Sequence, residues 1–296
     1  MNGAELSLEQ TREVSRLRHQ LALGLSFIDS NTLQGAMGPL VCSLERIGSM
    51  PLELSFEAHR KDRLALRFEG IVHKRMLKLL ADGLSTTWTL RAFGCRAANA
   101  LKYLPNLDPH LYVPRRLSME LVLAGTVPAS SIANIRAPWL WPAAGYPFAA
   151  GSTLLRGRVL RGVSSSAAAP IAWARVFATV PDSETLFEAA QLVGCAHGDG
   201  RGEFALALDA RAATGAALKN PLKVRLWVFA APAGASPNPA DPLALLPIEA
   251  CGSALKSDVL TGIALPPSYS LQQSRVIDVR LGETLSGADT EFLFAP

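Results

Sequence analysis

The sequence predicts an all-β protein: two β-sandwich domains of the Ig-like or transthyretin-like kind, preceded by a short N-terminal helix. Three observations lead there. Leu52, Leu54 and Phe56 alternate with Glu53, Ser55 and Glu57, and Leu64, Leu66 and Phe68 alternate with Arg63, Ala65 and Arg67. Successive side chains on a strand point to opposite faces, so this spelling gives a sheet with one wet and one dry side. Turn-forming clusters separate such runs, as from Asp29-Ser30-Asn31 through Gly35 to Gly38-Pro39. Finally, 296 residues suffice for two domains that each bury a core. The expected division is a helix within 1–20, a first sandwich over 21–124, a crossover over 125–151 and a second sandwich over 152–296.

Ser7-Leu8-Glu9-Gln10 has capping-box spacing, and Val14, Leu17 and Leu21 follow at helical intervals. From Leu21 the period becomes two, with Leu21, Leu23, Leu25 and Phe27 on one face, and Leu40, Cys42 and Leu44 resume it. Further strands are expected over 85–93 and 116–123. His59 to Arg63 then reads as a hairpin tip. The stretch 124–151 holds Pro128, Pro138, Pro142 and Pro147 among Trp139, Trp141, Tyr146 and Phe148. Proline denies donors to a central strand, and exposing these aromatics would be costly, so an ordered crossover packed on the domains is expected. Beyond it, strands are expected over 155–159, 171–180, 191–195, 204–208, 222–229, 258–265, 275–281 and 291–294. Asp199-Gly200 is expected to form a hairpin, and 231–247 a surface loop.

Leu155-x-Gly157-x-Val159 precedes Pro170-Ile171-x-x-Ala174-x-Val176, and Val193-Gly194 precedes Asp199-x-x-Gly202-Glu203-Phe204-x-Leu206. In this order the segment resembles the carboxypeptidase regulatory-like, or transthyretin-like, β-sandwich domain, departing from it by an insertion at 181–190. The first half carries a fainter echo in Thr32-x-x-Gly35 ahead of Pro39 to Leu44. The resemblance implies an accessory module that stabilises enzymes, binds proteins or glycans, or builds extended particles. Transthyretin-like modules occur in phage-tail-like and contractile injection particles.

Charged residues are 18% and hydrophobic residues 49% of the chain, and 29 basic against 25 acidic groups are spread along its length. Nucleic-acid binders concentrate their basic residues, so no nucleic-acid partner is expected. No run approaches about 18 apolar residues, so no membrane span is expected, and the first twenty residues lack the apolar core of a signal peptide. The four cysteines and five histidines are mutually distant and match no metal spacing. Neither a metal nor another cofactor is expected. Ser253-Ala254-Leu255-Lys256 spells S-x-x-K without its companion motifs. His197, Asp199 and Glu203 read as a turn in which Asp199 bonds its own backbone.

Arg115 and Arg116 present two readings, a fork for a carboxylate or phosphate and charges that blunt a sheet edge. Together with Trp139, Trp141 and Tyr146 they form the candidate interaction set. The expected function is a non-enzymatic structural or assembly protein whose partners are other subunits, in the cytoplasm or within an assembled particle. A glycan-binding module, with the three aromatics as stacking faces, is the second reading. A hydrolase built from distant residues is the third.

Overall fold

The computed structural model describes residues 21–60, 63–67, 87–97, 100–121, 135–180, 187–209, 221–232 and 240–294. The expected N-terminal helix lies outside them. The described chain is all-β, as its alternation requires, and its strands form two sandwich-like sheet pairs.

In the first pair, sheet I contains β3 (Leu40–Ile47), β4 (Met50–Ser55), β7 (Thr87–Gly94), β8 (Arg115–Glu120) and β17 (Ile248–Gly252), ordered β17-β8-β7-β3-β4. Sheet II contains β1 (Leu21–Ser26), β5 (Glu57–Arg60), β6 (Arg63–Arg67) and β9 (Ile135–Arg136), ordered β5-β6-β1-β9. A two-residue parallel ribbon joins β2 (Ile28–Asp29) to β10 (Trp139–Leu140). Leu23, Leu25 and Leu66 from sheet II meet Leu44, Leu90 and Leu117 from sheet I in one core. Each such leucine contributes about 1.5–3 kcal/mol on burial. The alternating run at 50–60 changes sheets at Phe56, which is itself buried, so one period-two stretch serves both layers. The predicted hairpin of basic residues pairs Arg60 with Arg63.

In the second pair, sheet III is built on β11 (Leu154–Arg161). It pairs antiparallel with β12 (Ala169–Pro170) and β15 (Glu203–Ala207), and parallel with β19 (Thr284–Phe294). Sheet IV contains β13 (Arg175–Thr179), β14 (Leu192–His197), β16 (Leu222–Ala230) and β18 (Ser270–Val279), ordered β14-β13-β16-β18. Leu155, Val159, Ala174, Val176, Phe204 and Leu206, the apolar positions of the quoted resemblance, share one core.

Four expectations change. The boundary at residue 152 does not separate the cores, because β17 returns from the second segment to pair in parallel with β8. The 231–247 loop is not wholly superficial, since Leu243 and Leu246 are buried beside Val41, Phe93 and Val113. Asp199-Gly200 does not close a hairpin. It carries the chain from sheet IV to sheet III, with Asp199 Oδ1 accepting from the N–H groups of Arg201 and Glu203 at 2.8 and 3.0 Å. Lastly, 258–265 is not a strand. Ser257 Oγ accepts from Leu260 N at 3.2 Å and Gly262 adopts φ +76°, so a capped single turn, α1 (Asp258–Thr261), wins over weak alternation.

Candidate functional site

The polar chemistry of the molecule gathers where the two sheet pairs meet. Alternation along β8 sends Arg115, Leu117 and Met119 to the core face and Arg116 to the other. Arg115 is fully buried. Its Nε and Nη2 donate to Glu249 Oε1 and Oε2 at 3.0 and 2.7 Å, a bidentate fork across two neighbouring strands. Its Nη1 donates to the carbonyls of Trp139 and Leu260, both at 2.7 Å, and Nη2 also reaches the carbonyl of Val259. One guanidinium thus ties the crossover, α1 and β17 together.

From the second sheet pair, buried Arg175 on β13 lies 3.4 Å from Glu249 Oε1. Its Nη1 donates to the carbonyl of Trp173 at 3.2 Å. His197 faces Arg175 across the β13–β14 pairing. The carbonyl of Gly262 lies 2.9 Å from His197 Nε2 and can only accept, so Nε2 carries the proton and Nδ1 is a bare acceptor. The ring stacks on Trp141 at 5.1 Å. Burial holds the His197 pKa well below its ordinary value, and Arg175 and Arg115 push it further down. Burial also raises the Cys195 thiol, and it raises Tyr269 to about 12. Cys195 is therefore a thiol without nucleophilic character at neutral pH.

Trp173 completes the joint. It is a bulky residue at φ +64°, buried with Phe93 of β7, Val113 just before β8 and Leu243 of the 231–247 loop. Its amide donates to the carbonyl of Asp199 and its carbonyl accepts from the Tyr269 hydroxyl at 2.8 Å. Strain of this kind, about 1–3 kcal/mol, persists only where the surroundings over-determine it.

A second polar cluster supports the turn after β2. Asp29 is fully buried, and its Oδ1 accepts from Asn31 N and Thr32 N at 2.7 and 3.1 Å. Its Oδ2 accepts from the hydroxyls of Tyr112 and Tyr146 at 2.8 and 2.6 Å. Burial and the neighbouring carboxylate raise Tyr146 to about 12. Between this turn, the crossover and β14–β15 lies a cleft of about 470 Å³, with Trp139 and Trp141 in its wall.

The predicted interaction residues separate accordingly. Trp139 is half-buried and lines the cleft, as does Trp141, which is only 8% exposed and donates Nε1–H to the carbonyl of Thr261 at 2.9 Å. Tyr146 is a core residue bonded to Asp29 and offers no stacking face. Arg115 and Arg116 do not blunt an edge, because β8 lies between β7 and β17. The fork reading survives with an internal partner: Arg115 grips Glu249, and Arg116 grips Glu45 at 2.6 and 2.9 Å on the opposite face. That face continues through Arg91, which bridges Glu45 and Asp241. Ser253 and Lys256 lie in an exposed turn. Sequence reasoning passed over Glu249, Arg175 and Asp29. Glu249 and Arg175 share a signal, a single charge in an otherwise apolar strand, which demands a buried partner, whereas Asp29 reads as an ordinary turn residue. Among the described residues no cluster of His, Cys, Asp and Glu has metal-binding geometry, and no helix is long and apolar enough to cross a membrane.

No protein-family profile matches the chain, and no curated protein matches it. Among solved structures, a 9R-lipoxygenase from Cyanothece PCC8801 aligns at 13% identity and TM-score 0.21 over 49% of this chain. The Bacillus anthracis TIE protein aligns at 8% identity and TM-score 0.24 over 92%. GBS52, the minor pilin of Streptococcus agalactiae, aligns at 7% identity and TM-score 0.23 over 92% of this chain and 95% of the pilin. The chain spans 16% of the lipoxygenase and 33% of the TIE protein. Superpositions at this level carry no argument about activity or partners.

Proposed function

We propose that this chain is a non-enzymatic structural subunit that assembles with other protein subunits, in a particle of the phage-tail-like or contractile-injection kind. The observation that supports this reading is the joint. Arg115, Glu249, Arg175, His197 and Trp173 are all buried where the sheet pairs meet, so the side chains best suited to chemistry serve to lock two layered units together. A fixed angle between units is what a repeating assembly needs from its subunit. β18 offers a contact strand: among the described residues it pairs with β16 alone in sheet IV, and Leu271 and Val276 on it are 45% and 39% exposed. The transthyretin-like spelling of the second half agrees with use as a particle module.

Light scattering of the purified full chain over a range of concentrations tests the proposal. Self-association, or recovery from its native host in a stoichiometric particle, is expected, and Leu271→Lys with Val276→Lys should weaken either. A monomer at every concentration, with no stoichiometric partner in its host, removes the proposal.

A further inference from the structure

The cleft between the sheet pairs has a use that subunit assembly does not require. The half-buried indole of Trp139 and the neighbouring Trp141 line it, together with Leu192, Val193, Ala205, Ala207 and Leu208 of the β14 and β15 region. An aromatic face in a largely apolar lining suits a ring with apolar faces. Its volume of about 470 Å³ lies within the range of small-molecule sites.

The rim is polar and specific in charge. Ser30, Asn31 and Asp209 line it, and no Lys, Arg or His lines the cleft among the described residues. Such a rim brings no cation to an anion and offers hydroxyl groups both the Asp209 acceptors and the Asn31 amide. A purely apolar guest would leave it unused.

The turn carrying this rim is strained and held rigid. Leu33 adopts φ +59° and is 63% exposed at the cleft. A bulky residue in the left-handed region, with its side chain in water, opposes folding twice over. The conformation is imposed by buried Asp29, by Leu33 N donating to the Asp29 carbonyl at 2.8 Å, and by Ser30 N donating to the Leu140 carbonyl at 3.0 Å. Backbone strain over-determined from beneath is characteristic of ligand clamps. Pre-organisation of this kind lowers the ordering cost of binding.

We propose that this cleft binds a neutral saccharide. Trp139 stacks on a pyranose face, and Asp209 and Asn31 receive or supply hydrogen bonds at the ring hydroxyls. The crossover aromatics thereby divide: Trp139 meets ligand, Trp141 backs it against His197, and Tyr146 positions the turn through Asp29.

Calorimetric titration of the full chain with maltotriose, cellotriose and chitotriose tests this, with tryptophan emission as a second readout. At least one sugar should bind saturably. Trp139→Ala should weaken it about tenfold and Trp139→Phe less, with the denaturation midpoint unchanged in the Phe variant. Asp209→Ala should weaken it several-fold. Two outcomes overturn the proposal: no saturation by any of the three sugars, or saturation that neither Trp139 variant alters. An apolar dye that occupies the cleft and is not displaced by sugar also overturns it.

Discussion

Two buried carboxylates, Asp29 and Glu249, are handled in opposite ways. Among the described residues Asp29 meets neutral donors, two backbone N–H groups and two tyrosine hydroxyls. Glu249 meets two guanidinium groups, one from each sheet pair. Neutral donors satisfy lone pairs without bringing further charge out of water. The ion-paired arrangement keeps three charges in the interior, and neither Arg175 Nε nor His197 Nδ1 has a hydrogen-bond partner among the described residues. The Asp29 cluster therefore fixes a local turn at low electrostatic cost. The Glu249 cluster is a long-range clamp whose parts are tolerable only together.

Removing the carboxylate from the clamp is the sharpest way to separate the two. Glu249→Ala leaves both guanidinium groups buried without an anion, and a loss of about 3–5 kcal/mol is expected in urea unfolding at neutral pH. The combined replacement Arg115→Met, Glu249→Leu and Arg175→Leu should recover a large part of that, because apolar residues of similar volume replace a buried network at little net cost. If the triple variant stays as unstable as the single one, Arg115 matters chiefly as the donor to the carbonyls of Trp139, Val259 and Leu260.

The Asp29 cluster should yield less. Asp29→Asn keeps the shape of the side chain but removes the charge from four hydrogen bonds, and a loss of about 1.5–3 kcal/mol is expected. Urea unfolding checks it against Tyr112→Phe, which deletes one donor to Asp29 and the acceptor of the Met37 N–H, and should cost about 1–1.5 kcal/mol. A loss from Asp29→Asn equal to that of Glu249→Ala would erase the distinction between turn and clamp.

What the sequence made legible follows the same line between local and distant. Alternation found the strands over Leu40–Ile47, Thr87–Gly94 and Leu154–Arg161, because side-chain polarity along one strand reports its two faces directly. It could not find the change of sheet at Phe56, since both layers impose the same period. Nor could it show that Asp199-Gly200 links two sheets, because a turn has the same chemistry whichever sheets it joins. The adjacent arginines were visible as an anomaly, but the partner of Arg115 lies 134 residues away. Of the aromatic crossover, composition predicted burial; only the fold shows that Trp139 borders a cleft while Tyr146 is sealed against Asp29.

The smallest effect probes the clamp without breaking it. His197 stays neutral in the folded chain because burial, Arg175 and Arg115 oppose a further cation. Cys195 lies on the strand of His197, and Glu249 and Tyr269 bear on the same Arg175. An unfolded histidine takes up its proton near pH 6.5, so below that value the unfolded state binds a proton that the folded state refuses. The stabilisation is complete above about pH 6.5 and declines as the pH falls toward the depressed folded value, by up to about 1.4 kcal/mol per unit. His197→Gln keeps a donor for the Gly262 carbonyl and cannot titrate, so its unfolding free energy should lose less between about pH 6.5 and 5.5 than that of the unaltered chain. Parallel decline in the two proteins would assign the acid sensitivity elsewhere. It would also mean that the clamp tolerates a third cation.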